Sequence, residues 1–233
     1  MHRTGYALFA LALIAVAMPG SALGGDGNEA YFIQASPDGS TFGNTLTIKQ
    51  DEANYSLVTG INRNLVGALP AWVVRSVGGV NPLNASQRGE GNSATLTFEG
   101  DGGELQLLQA SARNAAWVPG FAGGNNSAIV TSLGDSLGGV IQVGADNEAI
   151  MRLDNGRGLI TQLGNNLFAQ LTVAPSGSGT IVQIGNNSSA GAVTVLGGTT
   201  LLYTQIGNNL TQSAAVEAFS TAPGTIVITQ TAW

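Results

Sequence analysis

The feature that most constrains the fold is a segment that occurs four times in the second half of the chain. Its copies are VIQVGADNEA, LITQLGNNLF, IVQIGNNSSA and YTQIGNNLTQ, and their shared glutamines are Gln142, Gln162, Gln183 and Gln205. Successive glutamines are separated by 20, 21 and 22 residues, and no helical pattern lies between them. A nearly fixed period of this length is typical of stacked repeat architectures. The sequence therefore predicts an all-β stack of repeats.

A large apolar residue stands two positions before each of these four glutamines. Residues two apart in a strand point to the same face, so the pattern predicts that the glutamines face inward with the core. The same alternation precedes Gln50, Gln109 and Gln230.

Two positions after the glutamine comes a glycine, followed by a stretch rich in asparagine. Glycine and asparagine tolerate positive φ, so this is where a strand can bend sharply. A second alternating run then follows, as in Ala94, Leu96 and Phe98. The predicted unit is strand, arc, strand, and the predicted arc glycines are Gly89, Gly144, Gly164, Gly185 and Gly207.

A buried glutamine is unfavourable when its amide has no hydrogen-bond partner. If the repeats stack about 4.8 Å apart, each side-chain amide can donate to one neighbouring copy and accept from the other, as in cross-β assemblies. The repetition therefore predicts a glutamine ladder inside the stack. In such an array the first and last repeats carry unpaired edges, which are templates for another chain.

The segment QRGEGNSATLTF, which begins at Gln87, resembles the curlin repeat of bacterial curli fibres. The order is glutamine, glycine two residues later, asparagine five later and alanine seven later. It is matched by Gln87, Gly89, Asn92 and Ala94, by Gln142, Gly144, Asn147 and Ala149, and without the glycine by Gln109, Asn114 and Ala116. The resemblance implies a second structural line through Asn92, Asn114 and Asn147. It also implies an extracellular amyloid subunit that passes through a dedicated outer-membrane pore of a Gram-negative cell and assembles at its surface.

The chain departs from the curlin pattern at two places. The second glutamine of curlins, eleven residues after the first, is replaced by residues such as Phe98 and Leu153. In the last three full repeats the asparagine place holds Leu167, Ser188 and Leu210, unless the arc is one residue shorter and Asn166, Asn187 and Asn209 fill it. The sequence leaves both registers open.

The N-terminus has the layout of a secretory signal peptide, with Arg3 before a short apolar run, then Pro19 and small residues. The run is shorter than the roughly 20 residues of a spanning helix, so we expect no membrane span after cleavage. The full chain has a net charge of −6 and a single lysine, Lys49, which argues against binding to nucleic acid. It contains no cysteine, and its one histidine lies in the leader.

Without histidine or cysteine the mature chain cannot build the common hydrolytic triads or an ordinary zinc site. The nearest carboxylate pairs are Asp51 with Glu52 and Asp146 with Glu148. Adjacent acids in turns are usually surface charge, so we expect neither an enzyme nor a cofactor.

The sequence interpretation is a signal peptide over 1–24, degenerate repeats over 25–110 with an irregular insertion near 62–85, and regular curlin-like β-solenoid repeats over 111–233. The predicted function is a self-assembling structural subunit of extracellular adhesive fibres in a biofilm matrix, and the sequence leaves open whether it is the main subunit or a minor or nucleating one. Its predicted partners are itself or other curlin-type subunits, joined through β-edges. The alternatives are a monomeric secreted β-solenoid adhesin and a β-helix enzyme acting on polysaccharide.

Overall fold

The structure is a computed structural model, and it describes residues 26–35, 43–50, 53–61, 84–110, 124–220 and 222–232. The predicted signal peptide, 1–24, lies outside these ranges. The described chain is all-β and contains no helix, hence none that could cross a membrane. Its strands are β1 (Glu29–Ala30), β2 (Phe32–Ala35), β3 (Thr45–Lys49), β4 (Leu57–Thr59), β5 (Ala85–Arg88), β6 (Ser93–Phe98), β7 (Glu104–Ala110), β8 (Ser127–Leu133), β9 (Leu137–Ala145), β10 (Glu148–Asp154), β11 (Arg157–Val173), β12 (Ser178–Leu196), β13 (Thr199–Ile206), β14 (Val216–Phe219) and β15 (Gly224–Thr231).

All paired strands run parallel, and they form two arrays. The glutamine array contains β1, β2, β4, β5, β7, β9, the first parts of β11 and β12, β13 and β15. The second array contains β3, β6, β8, β10, the last parts of β11 and β12, and β14. Because β11 and β12 continue through both arrays, all fifteen strands belong to one curled sheet.

The core lies between the two arrays and follows from the alternation in each strand. Leu107, Val140 and Ile160 enter it from the glutamine array, and Leu96 and Met151 enter it from the second array. Each is at most 1% exposed. Burying a large aliphatic side chain stabilises the folded state by about 1.5–3 kcal/mol, so this alternation supplies much of the driving force for folding.

The opposite face of the glutamine array carries a second apolar cluster. It includes Leu108, Ile141, Leu159, Val182 and Ile61, which are 1–5% exposed. The glutamine strands are therefore buried on both faces in this region, as is usual for parallel sheets. This explains why they contain nearly continuous apolar runs in the sequence.

The region near 62–85 interrupts a strand position of the glutamine array. Strands β4 and β5 both pair with β7, through Leu57 opposite Glu104 and Ser86 opposite Leu108. They are two parts of one strand position, which the chain leaves after Ile61 and rejoins at β5. Residue Ala85 belongs to β5, opposite Phe32, and 62–83 lie outside the described residues.

The degenerate repeats predicted over 25–110 and the regular repeats predicted over 111–233 contribute strands to one continuous sheet. Strand β7 pairs with β9, and β6 pairs with β8, so both arrays continue across the boundary between 110 and 111. The residues nearest the boundary, 111–123, lie outside the described ranges.

Candidate functional site

A continuous ladder of eight glutamine side chains runs through the glutamine array. Each Nε2 except the last donates to the Oε1 of the next ladder glutamine toward the C-terminus. The seven donor–acceptor distances lie between 2.6 and 2.9 Å. The ladder consists of Gln34, Gln87, Gln109, Gln142, Gln162, Gln183, Gln205 and Gln230. All donors point the same way, so the ladder has a direction.

The glutamine amides also bind the backbone of the neighbouring arc and strand. Gln142 Nε2 donates to the carbonyls of Ser127 at 2.8 Å and Asn147 at 3.0 Å. Gln162 makes the equivalent contacts with Glu148 and Leu167, at 2.9 and 3.0 Å. The ladder glutamines from Gln109 to Gln205 are completely buried, and these bonds offset the loss of water.

The structure places Gln34 in the ladder and Gln50 outside it. The Gln50 amide donates to the carbonyls of Ser56 at 3.0 Å and Glu29 at 3.4 Å. Lys49 lies opposite Thr97, so the next residue, Gln50, is in line with Phe98 of the second array. The prediction that Gln50 belongs to the glutamine ladder is corrected accordingly. The apolar residue two before Gln34 could have identified Gln34 from the sequence, but no glycine follows two residues later.

The C-terminal end of the ladder has additional polar contacts. Gln230 Oε1 accepts from the Tyr203 hydroxyl at 2.9 Å as well as from Gln205. Gln230 Nε2 donates to Gln212 Oε1 at 3.0 Å. Burial raises the pKa of Tyr203, partly opposed by the hydrogen bond from Gln205. The last ladder donor is therefore satisfied within the chain.

A second line of side-chain amides consists of asparagines from Asn44 to Asn147. Its donors point toward the N-terminus, opposite to those of the glutamine ladder. Asn92 Nδ2 donates to Asn44 Oδ1 at 3.0 Å, Asn126 to Asn92 at 2.9 Å, and Asn147 to Asn126 at 2.9 Å. The sequence assigned the place of Asn126 to Asn114, which lies outside the described residues. Gln109 and Gln142 are neighbours in the ladder although 33 residues separate them. This repeat is longer than the others, and the asparagine that bonds to both Asn92 and Asn147 stands 17 residues after Gln109, at Asn126.

Strand pairing decides between the two registers that the sequence leaves open for the later arcs. Leu167 lies opposite Ser188, and its backbone N–H donates to Asn147 Oδ1 at 3.1 Å. Leu167 and Ser188 therefore occupy the asparagine place. Asn166 and Asn187 lie one residue earlier, with φ of 55° and 54°, where asparagine tolerates the left-handed conformation.

Glycines are required where the arcs stack on one another. Gly144, Gly164, Gly185 and Gly207 have φ between 126° and 145°. A Cβ on Gly164 would overlap the carbonyl oxygen of Gly185, and a Cβ on Gly185 would overlap that of Gly207. The fifth predicted arc glycine, Gly89, has φ of 96°. The other four positions combine positive φ with close backbone approach, which explains the recurrence of glycine there.

The contacts of Gln183 predict a measurable loss of stability for Gln183→Leu. Leucine would leave the carbonyls of Phe168 and Ser188 and the Oε1 of Gln205 without this donor. Leaving buried acceptors unpaired costs about 1–3 kcal/mol, so we expect a lower midpoint of thermal unfolding. The outward-facing Thr194→Leu is the control, and equal midpoints for both variants would contradict the ladder's contribution.

The described residues hold no group of three or more histidine, cysteine, aspartate or glutamate side chains suited to a metal ion. Asp146 and Glu148 flank Asn147 at one arc, whereas Asp51 and Glu52 lie outside the described ranges. A groove of about 370 Å³ along the turns is lined by Glu104, Asp135 and Arg157 among others, and contains no ladder residue.

Comparison of the chain with protein-family models, with curated proteins and with solved structures finds no match.

Proposed function

We propose that the chain is a β-solenoid of stacked strand-arc-strand repeats of the curlin type, and that it serves as a self-assembling structural subunit of extracellular adhesive fibres. Its function is then the structure itself, with no catalytic centre or cofactor. The partner is a second copy or another curlin-type subunit.

The observation that carries this proposal is the directional ladder of eight glutamines across parallel strands in register. Side-chain amide ladders of this kind stabilise cross-β assemblies, in which every chain provides the template for the next. The ladder depends on stacking, because an isolated strand would leave both ends of each amide unpaired. The resemblance of its repeats to curlin repeats agrees with this role.

The outermost strands provide the surfaces for growth. Within the described part of the chain, β2 pairs with β5 alone and β15 pairs with β13 alone. Tyr31 beside β2 is 47% exposed, and Val227 in β15 is 61% exposed. Unpaired edges with exposed apolar side chains favour addition of another strand, so we propose growth by β-edge addition.

The site of action follows from the leader. A signal peptide over 1–24 directs export, and the resemblance to curlins implies passage through an outer-membrane pore and assembly at the cell surface. The acidic, lysine-poor composition agrees with a matrix component that does not bind nucleic acid.

A second candidate is a monomeric secreted β-solenoid adhesin, which the contact between Gln230 and Gln212 favours. This hydrogen bond, 3.0 Å long, occupies the last donor of the ladder within the same chain. Because this donor is already satisfied, an incoming chain would form one hydrogen bond fewer at this end.

Electron microscopy of the mature chain, 25–233, separates the two candidates. The chain is diluted from denaturant and sampled by negative staining over days. Unbranched fibres are expected for the subunit. Discrete particles that persist at all times would overturn the fibre proposal and favour the adhesin.

A further inference from the structure

The outer face of the second array presents three regular rows of side chains to solvent. Pairing aligns one row of seven residues, which are Lys49, Thr97, Thr131, Arg152, Thr172, Thr194 and Glu217. The middle row contains Thr95, Ile129, Ile150 and Gln170, and the third contains Ser93, Ser127, Glu148 and Phe168. Their side chains are exposed or half-buried. In contrast to the central part of the glutamine array, whose outer face is buried around Ile141 and Leu159, this outer face is uncovered.

The centre of the face is strand β10, where opposite charges lie on either side of an isoleucine. Glu148, Ile150 and Arg152 point outward, whereas Ala149 and Met151 are buried. No described residue forms an ion pair with Glu148 or Arg152, and both are exposed. Four residues in a strand separate the charges by roughly 13 Å, too far for them to pair with each other.

We propose that this face binds the same face of a second copy, with the two stacks side by side and parallel. A two-fold axis that passes by Ile150 along the stacking direction exchanges the positions of Glu148 and Arg152. Each Glu148 then lies opposite Arg152 of the other copy, giving two ion pairs. Such an isologous interface is the usual form of a closed homodimer.

The neighbouring strands complement this arrangement. The axis places Ile129, which is 43% exposed, against its own counterpart, one strand from Ile150. Ser127 then faces Thr131, and Phe168 faces Thr172. The centre is apolar, and the flanking rows are mostly hydroxyl-bearing, with the charged Lys49 and Glu217 at the two outer ends of one row. The antiparallel orientation is disfavoured because it would place Glu148 against Glu148 and Arg152 against Arg152.

The dimensions of the face suit a modest interface. Seven strands spaced about 4.8 Å apart, each contributing about six residues of 3.3 Å, give roughly 700 Å² per copy. Stable interfaces bury about 800 Å² per partner. This lateral contact uses a face rather than the strand edges, so it goes beyond the proposed edge addition.

Exchanging charges tests the proposed ion pairs between Glu148 and Arg152 of two copies. Association of the freshly diluted mature chain is measured by sedimentation velocity at low salt. We expect concentration-dependent dimers for the native sequence and at least a tenfold weaker association for Arg152→Glu, which brings like charges together twice. The double variant Glu148→Arg with Arg152→Glu should restore association to within about threefold. Arg157→Glu, an equal charge change on an exposed residue of the glutamine array, should associate like the native sequence.

A single cysteine tests the orientation, because the native chain has none. Ile129→Cys should be crosslinked to itself by a short bismaleimide, whereas Thr200→Cys, on the glutamine array, should not. Absence of this crosslink would overturn the parallel arrangement. Equal association of the native chain and Arg152→Glu, a double variant no better than the single one, or a native chain that stays monomeric would overturn the pairing. Fibres could still form in those cases by edge addition, so the two proposals fail separately.

Discussion

A chain with glutamate in place of Gln142, Gln162, Gln183 and Gln205 should neither fold into the stacked sheet nor form fibres at pH 7. These four amides are completely buried and are linked at 2.8–2.9 Å. Glutamate would bring four negative charges into line inside the core and would remove the amide donors. Like charges at this spacing in a buried site are strongly unfavourable. Far-UV circular dichroism and thermal unfolding measure the loss.

The same variant should recover order in acid. Burial and mutual repulsion raise the pKa of each introduced carboxyl above its ordinary value of about 4.3. A group with a raised pKa in the folded state favours folding below its unfolded pKa, and this contribution is lost as the pH rises through the folded pKa. Protonated carboxyls also regain a donor for the next side chain. The variant should therefore be most ordered near pH 4 and unfold toward pH 7.

Four glutamates at exposed positions provide the matched control. Thr47, Ala192, Thr200 and Thr229 point outward, so their substitution adds the same charge without entering the ladder. This control should keep the β-sheet spectrum at pH 7. Normal folding and fibres from the ladder variant at pH 7 would contradict the ladder.

Gly164→Ala should lower the stability of the chain more than the same substitution at Gly144, Gly185 or Gly207. Its φ is 145°, and an added Cβ would overlap the carbonyl of Gly185, which belongs to the backbone and cannot rotate away. Strain at such a position, together with the displaced backbone, costs more than about 2 kcal/mol. The midpoint of chemical denaturation measures the effect.

Gly198→Ala is the control for this substitution. A Cβ there meets no atom within 4 Å, and its φ lies outside the left-handed region. Its denaturation midpoint should stay close to the native value. Equal midpoints for Gly164→Ala and Gly198→Ala would show that the arcs do not stack as described.

The periodic features of the fold could be predicted from the sequence because stacking repeats the same local chemistry. The spacing of Gln142, Gln162, Gln183 and Gln205 predicts an all-β chain, and pairing aligns these glutamines with one another. Each local rule, alternation in strands and glycine in arcs, acts in every repeat. A departure in one copy is therefore outweighed by the others.

The remaining features depend on contacts between distant residues. Asn126 takes the place assigned to Asn114 because this repeat is longer than the others, with 33 residues between Gln109 and Gln142, and counting along the chain cannot reveal which asparagine aligns with Asn92. Gln34 and Gln50 each follow an apolar residue two positions earlier, but only Gln34 aligns with Gln87. The exposed charges on β10 can be recognised as part of a complementary surface only when strand pairing has shown which residues share the outer face of the second array.

Seeded growth with an edge-blocked variant tests most directly whether the chain assembles by β-edge addition. Ala232 donates its N–H to Ile206, and alternate residues of a parallel strand bond to the same side, so the N–H of Thr229 points to the free edge. Thr229→Pro removes this donor and leaves the pairing of β15 with β13 intact, because edge strands tolerate proline facing outward. Native monomers should extend native seeds without a lag, whereas Thr229→Pro monomers should stop after at most one addition per seed while unfolding at a similar temperature. Extension of the seeds by the variant at the native rate would contradict edge addition.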